Sequence, residues 1–181
     1  MEEKVLVAYA SKYGSTKEVA EAVAAVFRGS GLAVDLQPMR KAHDLEPYRT
    51  VILGAPLYIG RWHAEMRRFL SRHREALSRR APLVFTLGPT TPSENEWRDV
   101  RTQLEMETAQ YPWLDPAAVE LFGGKYDPAA LRFPDSLLAG LPASPLHGLP
   151  ASDARDWEAI RRWAQHRIVP KKSEKTQEIK K

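Results

Sequence analysis

The sequence contains no cysteine, which excludes disulfides, iron–sulfur ligation and a thiol nucleophile. It has no apolar run long enough to cross a bilayer, and the apolar stretch from Val5 to Ala10 is too short and wrongly flanked for a signal peptide. Its five histidines show no metal-ligand spacing, and no carboxylate cluster accompanies them. We therefore expect a cytoplasmic protein without a metal site.

What is present is typical of one globular domain. The chain has 181 residues, of which 43% are hydrophobic and 28% charged, with a formal net charge of +4. We expect a single domain over residues 1–169, followed by a disordered basic tail at 170–181. The basic charge is compatible with an anionic partner but does not identify one.

Short apolar runs alternate with segments of helical period, which is the pattern of βα units and a parallel sheet covered on both faces. The second run alternates apolar and polar residues and is therefore predicted to be an edge strand. The five predicted strands are Val5 to Ala10, Leu32 to Gln37, Thr50 to Ala55, Leu83 to Leu87 and Ala118 to Phe122.

The helices between these strands carry their own start signals. Ser15 with Glu18, and Ser93 with Glu96, have the spacing of capping boxes, while a third helix is predicted to begin near Arg61. The last helix is predicted to start at Ser152 as N-cap. A proline-rich insertion at residues 127–150 precedes it, with a short turn expected around Asp135 to Ala139.

In a parallel sheet of this kind, ligands bind beyond the carboxyl ends of the strands where the strand order reverses. The loop after the first strand combines hydroxyls, a glycine and the positive end of a helix dipole, as a phosphate site requires. It is neither a Walker A motif nor a GxGxxG fingerprint, so a mononucleotide phosphate is favoured, although an ordinary capped turn is the alternative. The candidate residues are Ser11, Lys12, Tyr13, Gly14, Ser15 and Thr16.

Two further loops could flank a flat ring. After the third strand, glycine and aromatic residues could form an apolar wall, although an aromatic residue there could equally belong to the core. After the fourth strand, a loop of Gly, Pro and Thr could bond the polar edge of a ring. The candidates are Pro56, Leu57, Tyr58, Ile59, Gly60 and Trp62, then Thr86, Leu87, Gly88 and Pro89, with His63 as a weaker catalytic candidate.

These loops resemble those of the flavodoxin-like family. Ser11, Gly14 and Thr16 match its T/S-x-T-G-x-T phosphate loop, with Tyr13 where a threonine is usual. The stretch from Val51 to Leu77 resembles the branch that includes menaquinone-dependent protoporphyrinogen dehydrogenase. The resemblance implies a three-layer α/β/α fold, a five-stranded parallel sheet of order 2-1-3-4-5, and bound FMN.

The segment from Arg61 to Arg80 is rich in arginine, and a solvated helix face is one explanation for it. Arg67, Arg68 and Arg72 could instead contact an acidic redox protein, a carboxylate-bearing substrate or an anionic membrane surface. Nucleic acid is a less favoured partner, and the sequence leaves the oligomeric state open.

Three functions are compatible with these features. The favoured one is an FMN-dependent oxidoreductase that moves electrons between a small organic substrate and a quinone or protein acceptor. The second is an FMN electron carrier without a substrate of its own. The third is a cofactor-free interaction module that uses the arginine-rich helix.

Overall fold

A computed structural model describes residues 4–144 and 146–168, in which strands and helices alternate along the chain. The strands are β1 (Lys4–Tyr9), β2 (Ala33–Pro38), β3 (Thr50–Tyr58), β4 (Arg61–Trp62), β5 (Leu83–Leu87), β6 (Ala118–Phe122), β7 (Lys125–Tyr126) and β8 (Ser152–Asp153). The helices are α1 (Ser15–Gly29), α2 (Ala64–Arg72), α3 (Arg74–Ser78), α4 (Glu94–Thr108), α5 (Asp135–Gly140) and α6 (Trp157–His166).

The main sheet has the order β2-β1-β3-β5-β6, and all of these strands are parallel. Counted along the chain, these five parallel strands have the order 2-1-3-4-5, so the predicted fold class is confirmed. Strand β4 extends the sheet only as the antiparallel return of a hairpin from β3. Strand β2 lies at the edge, and all six of its residues are partly exposed.

The core lies in two layers, one on each face of the sheet. Side chains alternate along a strand, so Val5 and Val7 of β1 face one layer while Leu6 and Ala8 face the other. Helices α1 and α6 cover the first layer, where Phe27 and Trp163 are buried. The helices from α2 to α4 supply buried residues to the second layer, including Met66, Phe69, Leu70, Leu77 and Leu104.

Several predicted helix starts were wrong. Ser15 is the first residue of α1, and Gly14 is the N-cap without any side-chain cap bond. The helix expected near Arg61 begins at Ala64, because residues 61 and 62 return along β3 as the second strand of a hairpin. Ser152 belongs to β8, and the N-cap of α6 is Asp156, whose carboxylate accepts from the Ala159 N–H at 2.9 Å.

The capping signal at α4 was half confirmed. The Ser93 hydroxyl accepts from the Glu96 N–H at 3.5 Å, as the spacing predicts. The Glu96 carboxylate, however, accepts from the Thr90 N–H at 2.8 Å instead of turning back to Ser93. Glu96 therefore stabilises the loop that precedes the helix.

The insertion at 127–150 contains a 3-10 turn at Pro128–Ala130 and the short helix α5, which confirms the expected turn. Much of its apolar surface is exposed. No helix within the described residues has the length and apolar composition needed to span a bilayer. The predicted tail at 170–181 lies outside the described residues. The exposed apolar side chains of the insertion are Phe133, Leu137, Leu138, Leu141, Leu146 and Leu149.

Candidate functional site

The three predicted loops meet at one edge of the sheet. Strand β3 pairs with β1 on one side and with β5 on the other, all in parallel, so their carboxyl ends are neighbours. Strand order reverses here, because the chain moves from β1 outward to β2 and then returns to β3 on the opposite side. This edge is where a parallel sheet of this kind binds its ligand.

The loop between β1 and α1, called the phosphate loop below (residues 11–16), is shaped to receive an anion. Gly14 adopts φ 91°, a left-handed conformation that costs other residues free energy, and its N–H donates to the Ser11 hydroxyl at 2.9 Å. The Thr16 hydroxyl lies in the first turn of α1, is 1% exposed and has no hydrogen-bond partner among the described residues. A buried hydroxyl beside free helix N–H groups is suited to an external phosphate oxygen.

Lys12 and Tyr13 of this loop direct their side chains to the insertion. The Lys12 ammonium lies 2.5 Å from an Asp135 carboxylate oxygen, and the Tyr13 hydroxyl donates to the same oxygen. The hydrogen bonds from Lys12 and Tyr13 lower the pKa of Asp135. The Asp135 hydrogen bond raises the pKa of Lys12, so this pair is charged at neutral pH. Sequence reasoning missed this partner, because its only local signal is an acidic residue at the start of a short helix.

The hairpin between β3 and β4 places two apolar side chains at the same edge. Ile59 is fully exposed and has φ 49°, an unfavourable conformation for a β-branched residue, while the next residue, Gly60, adopts φ 72°. The Tyr58 side chain is 45% exposed. Partial desolvation of its hydroxyl, together with the charges of Tyr13 and Asp135, raises the pKa of Tyr58 to about 12. Tyr58 is therefore close to the phosphate loop and protonated at neutral pH.

Trp62 does not face this edge. It is 1% exposed, its indole N–H donates to the Thr86 hydroxyl at 2.9 Å, and its ring lies 5.5 Å from that of Tyr111. The interpretation of Trp62 as a flavin wall is corrected to a core residue, because the hairpin turns the chain back over the sheet.

Four other candidates also lie in the core. The Thr86 side chain is fully buried, and its hydroxyl accepts the hydrogen bond from the Trp62 indole. Pro56 and Leu57 belong to β3, which runs beyond the predicted end at Ala55. Leu87 is the last residue of β5 and is 3% exposed. Only the main-chain groups of these residues can contribute to a ligand at the edge.

His63 follows the hairpin and is the N-cap of α2. Its Nδ1 accepts from the Glu65 N–H at 3.2 Å, so the ring proton is on Nε2, and its ring lies 6.1 Å from that of Tyr58. Burial is the main cause that lowers the pKa of His63. The imidazole is therefore neutral at pH 7 and can donate through Nε2.

The loop after β5 contains Gly88 and Pro89 and is fixed from two sides. The Gly88 N–H donates to the Phe122 carbonyl at 3.1 Å, and the Gly124 N–H donates to the Pro89 carbonyl at 2.6 Å. Beyond it lies an open cavity of about 480 Å³. The cavity is lined by Thr90, Thr91, Pro92, Trp97, Ser152, Asp153 and Ala154.

Arg155 is a residue that the sequence interpretation missed. Its side chain is 3% exposed and lies 2.6 Å from the Asp153 carboxylate and 2.7 Å from that of Glu18 in α1. The guanidinium also donates to the Ser15 carbonyl at 3.4 Å, directly beside the phosphate loop. Arg155 thus connects the segment before α6 to the first turn of α1, across 140 residues of sequence.

The arginines proposed as a docking surface do not form a uniform set. Arg68 and Arg72 are exposed on α2. Arg67 is half-buried, and its Nε donates to the Trp62 carbonyl at 3.1 Å. Arg67 therefore supports the hairpin, and only Arg68 and Arg72 are candidates for a partner.

Comparison with known proteins identifies the family of this chain. The family model described as a flavodoxin domain matches residues 6–140, which is most of the chain. The chain belongs to the flavodoxin domain family. The match begins in β1 and ends with α5, so the phosphate loop, the hairpin and most of the insertion fall within the flavodoxin domain.

Individual relatives match this chain at low sequence identity. The protoporphyrinogen IX dehydrogenase (quinone) of Escherichia coli K12 is 22% identical over 150 residues, covering 68% of this chain and 83% of the relative. The NAD(P)H dehydrogenase (quinone) of Azorhizobium caulinodans is 32% identical over 114 residues, covering 48% of this chain and 57% of the relative.

Solved structures show the same fold. Flavodoxin 1 from Bacillus cereus has a TM-score of 0.55 at 17% identity, with 90% of this chain and 95% of that chain covered. A flavo-diiron protein from Thermotoga maritima has a TM-score of 0.53 at 16% identity, with 91% of this chain but only 35% of that chain covered.

FMN is the cofactor of the flavodoxin domain family, and the residues present fit it. Gly14 leaves open space where a Cβ would stand, so a phosphate can approach the backbone. The unpartnered Thr16 hydroxyl lies in the same turn. Apolar Tyr58 and Ile59 side chains are exposed at the neighbouring loop, where a flat ring needs an apolar face.

Proposed function

We propose that this flavodoxin domain binds FMN at the carboxyl edge of β1, β3 and β5. The N–H groups of the phosphate loop, with the hydroxyls of Ser11, Ser15 and Thr16, hold the phosphate. The hairpin at Tyr58, Ile59 and Gly60 lies along one side of the ring. The loop at Gly88 and Pro89 lies along the other. The observation that carries this proposal is the left-handed Gly14 beside the buried, unpartnered Thr16 hydroxyl.

We further propose that the protein is an oxidoreductase that passes electrons from a small organic substrate to a quinone. Bound FMN supplies the electron-accepting and electron-donating chemistry. Quinone as acceptor is supported by the names of two relatives, both of which are quinone-linked dehydrogenases. The exposed apolar side chains of the hairpin and the insertion would favour a hydrophobic substrate. Protoporphyrinogen is the specific substrate to test first, because it is named for the first of these relatives.

The role proposed for His63 is that of a hydrogen-bond donor. Its Nδ1 is occupied by the Glu65 N–H, which leaves the Nε2–H free to donate a hydrogen bond to the ring or the substrate. Since burial lowers the pKa of His63, the ring is neutral at pH 7 and orients its partner without giving up the proton. Tyr58, whose pKa is raised to about 12, stays protonated and serves as the apolar face of the pocket.

Cofactor binding is tested with two matched glycine variants. Gly14→Val and Gly31→Val both place a branched residue at positive φ, 91° and 83°, and both have open space around the new Cβ. Each should cost about 1–2 kcal/mol in backbone conformation. Only Gly14→Val fills the approach to the phosphate loop. We expect it to reduce FMN affinity at least about a hundredfold, whereas Gly31→Val binds FMN normally.

FMN affinity is measured by quenching of flavin fluorescence during titration of the apoprotein, with circular dichroism as a check on folding. Equal affinity of the two variants would place the phosphate elsewhere. The oxidoreductase proposal is tested by reducing the FMN-loaded protein anaerobically and adding a water-soluble menaquinone analogue. Rapid return of the flavin absorption band near 450 nm supports it. Oxidation by a flavodoxin partner protein but not by quinone would favour an electron carrier instead.

A further inference from the structure

The contact between the insertion and the phosphate loop has an unusual composition. One carboxylate, Asp135, accepts from both the Lys12 ammonium and the Tyr13 hydroxyl, while the Lys12 ammonium lies 5.5 Å from the centre of the Tyr13 ring. The two donors are consecutive residues immediately before Gly14. Asp135 comes from more than 120 residues away and is the first residue of α5.

These donors are groups that bind phosphate. An ammonium and a phenol hydroxyl next to a helix N-terminus would ordinarily point at an anion bound there. Here their charge and hydrogen bonds are taken up by a carboxylate of the chain itself. The ammonium is 43% exposed and the carboxylate 25%, so the contact lies at the surface, where a stronger anion can replace it.

We infer that Asp135 competes with the cofactor phosphate: its carboxylate is an internal anion that holds α5 against the phosphate loop, and a bound phosphate displaces it from Lys12 and Tyr13. This inference rests on the proposed binding of FMN at this loop. A phosphate carries more charge than a carboxylate and has three acceptor oxygens, so it wins this competition at saturation.

Two consequences follow for the chain. Asp135 weakens phosphate binding, because its negative charge must be displaced and the Lys12 charge is otherwise neutralised. Phosphate binding also loosens the hold of the phosphate loop on α5, since the Asp135 carboxylate and the Arg132 main chain both contact the Tyr13 side chain that the phosphate recruits. The apolar side chains of α5, Leu137 and Leu138, then become movable relative to the edge where the ring lies.

The first experiment measures affinity for three probes: FMN, inorganic phosphate and riboflavin, which has the ring but no phosphate. The variants are Asp135→Asn and, as a matched control, Asp115→Asn, an exposed carboxylate at the opposite, amino end of β6. We expect Asp135→Asn to bind FMN and inorganic phosphate about three- to tenfold more tightly, the scale of one partly exposed charge contact. Riboflavin affinity should not change, and the control should match the wild type.

The second experiment is limited trypsin digestion at Arg132, the sole lysine or arginine within residues 127–150. In the wild type, saturating FMN should speed cleavage after Arg132 several-fold, whereas riboflavin should not. Asp135→Asn should be cleaved rapidly without any ligand. Lys12→Gln removes the other half of the contact and should behave in the same way, which keeps the test valid if one variant folds poorly.

The outcomes separate this inference from the proposed function. If the wild type takes up FMN but Asp135→Asn shows the same affinities and the same cleavage rate, the internal-anion role is overturned and FMN binding stands. An equal gain for riboflavin would also overturn it, because the effect would then not act through phosphate. If the wild type takes up neither FMN nor inorganic phosphate, both proposals fall.

Discussion

Thr86 was predicted to contact a ligand, but its side chain supports the core instead. Its hydroxyl, fully buried, accepts the indole N–H of Trp62 at 2.9 Å. A tryptophan soon after a strand can line a ligand or fill the core, and sequence pattern does not separate the two. The separating fact is that β3 continues to Tyr58 before the chain turns back.

Replacing Thr86 tests this assignment. Thr86→Val keeps the shape of the side chain but leaves the Trp62 N–H without an acceptor, which should lower the free energy of unfolding by about 1–3 kcal/mol. Urea unfolding followed by tryptophan fluorescence measures the change. Thr102→Val, at an exposed position of α4, serves as the control and should shift stability by less than about 0.5 kcal/mol. A loss of FMN affinity with unchanged stability would return Trp62 to the flavin site.

At the scale of elements, Arg155 joins the end of the chain to its beginning. The buried guanidinium lies between Asp153 of β8 and Glu18 of α1, and it stacks 4.7 Å from the centre of the Trp157 ring. The β7–β8 ribbon and the first turn of α1 are therefore held in a fixed relation beside the phosphate loop.

Removal of this link should be costly. Arg155→Met leaves two carboxylates without their shared cation, and since both are partly exposed we expect a loss of about 1–3 kcal/mol in unfolding free energy. Arg162→Met, which breaks the exposed pair with Glu158, should cost less than about 0.5 kcal/mol. Thermal unfolding of the two variants beside the wild type makes the comparison, and equal midpoints would contradict the role of Arg155.

The elements that sequence predicted well are those with a long apolar signal. Strands β5 and β6 have the predicted bounds, because each run is followed directly by a glycine, Gly88 or Gly123. Strands β4, β7 and β8 have two residues each, too few for any periodicity, so the hairpin and the β7–β8 ribbon were missed. The Asp135 and Arg155 contacts were missed for a related reason, since pairing over 120 residues or more leaves no local pattern.

For the whole molecule, βα alternation predicted the parallel sheet, and the resemblance to the flavodoxin-like family supplied its strand order; both agree with the structure. The pKa shifts predict in turn how stability varies with pH. Burial lowers the pKa of His63 and His73 below 6.5, so the unfolded chain binds protons first and stability falls as the pH drops through 6.5. Three aspartates have a pKa below 3.8, so their contribution to the stability of the fold is lost as the pH falls further. These are Asp35 beside Lys4, Asp135 beside Lys12 and Asp153 beside Arg155.

At alkaline pH, stability changes with pH in the opposite direction. Desolvation raises the pKa of Tyr48 and Tyr58 to about 12, above the ordinary value of 10. Their contribution is complete below pH 10 and is lost as the pH rises towards 12. Urea unfolding across this range should give a plateau from about pH 7 to 10 with a decline on each side. Constant stability between about pH 7 and 5 would contradict the assignment of the buried histidines.

The Arg155 link also sets the order in which the protein can mature during synthesis. A ribosome releases β1, the phosphate loop and α1 before α6, yet Glu18 cannot meet Arg155, and α1 cannot pack on α6, until α6 has emerged. The cofactor loop is thus translated well before the contacts that lock it in place can form. Capture of FMN by a fully formed loop therefore requires that synthesis has already passed α6.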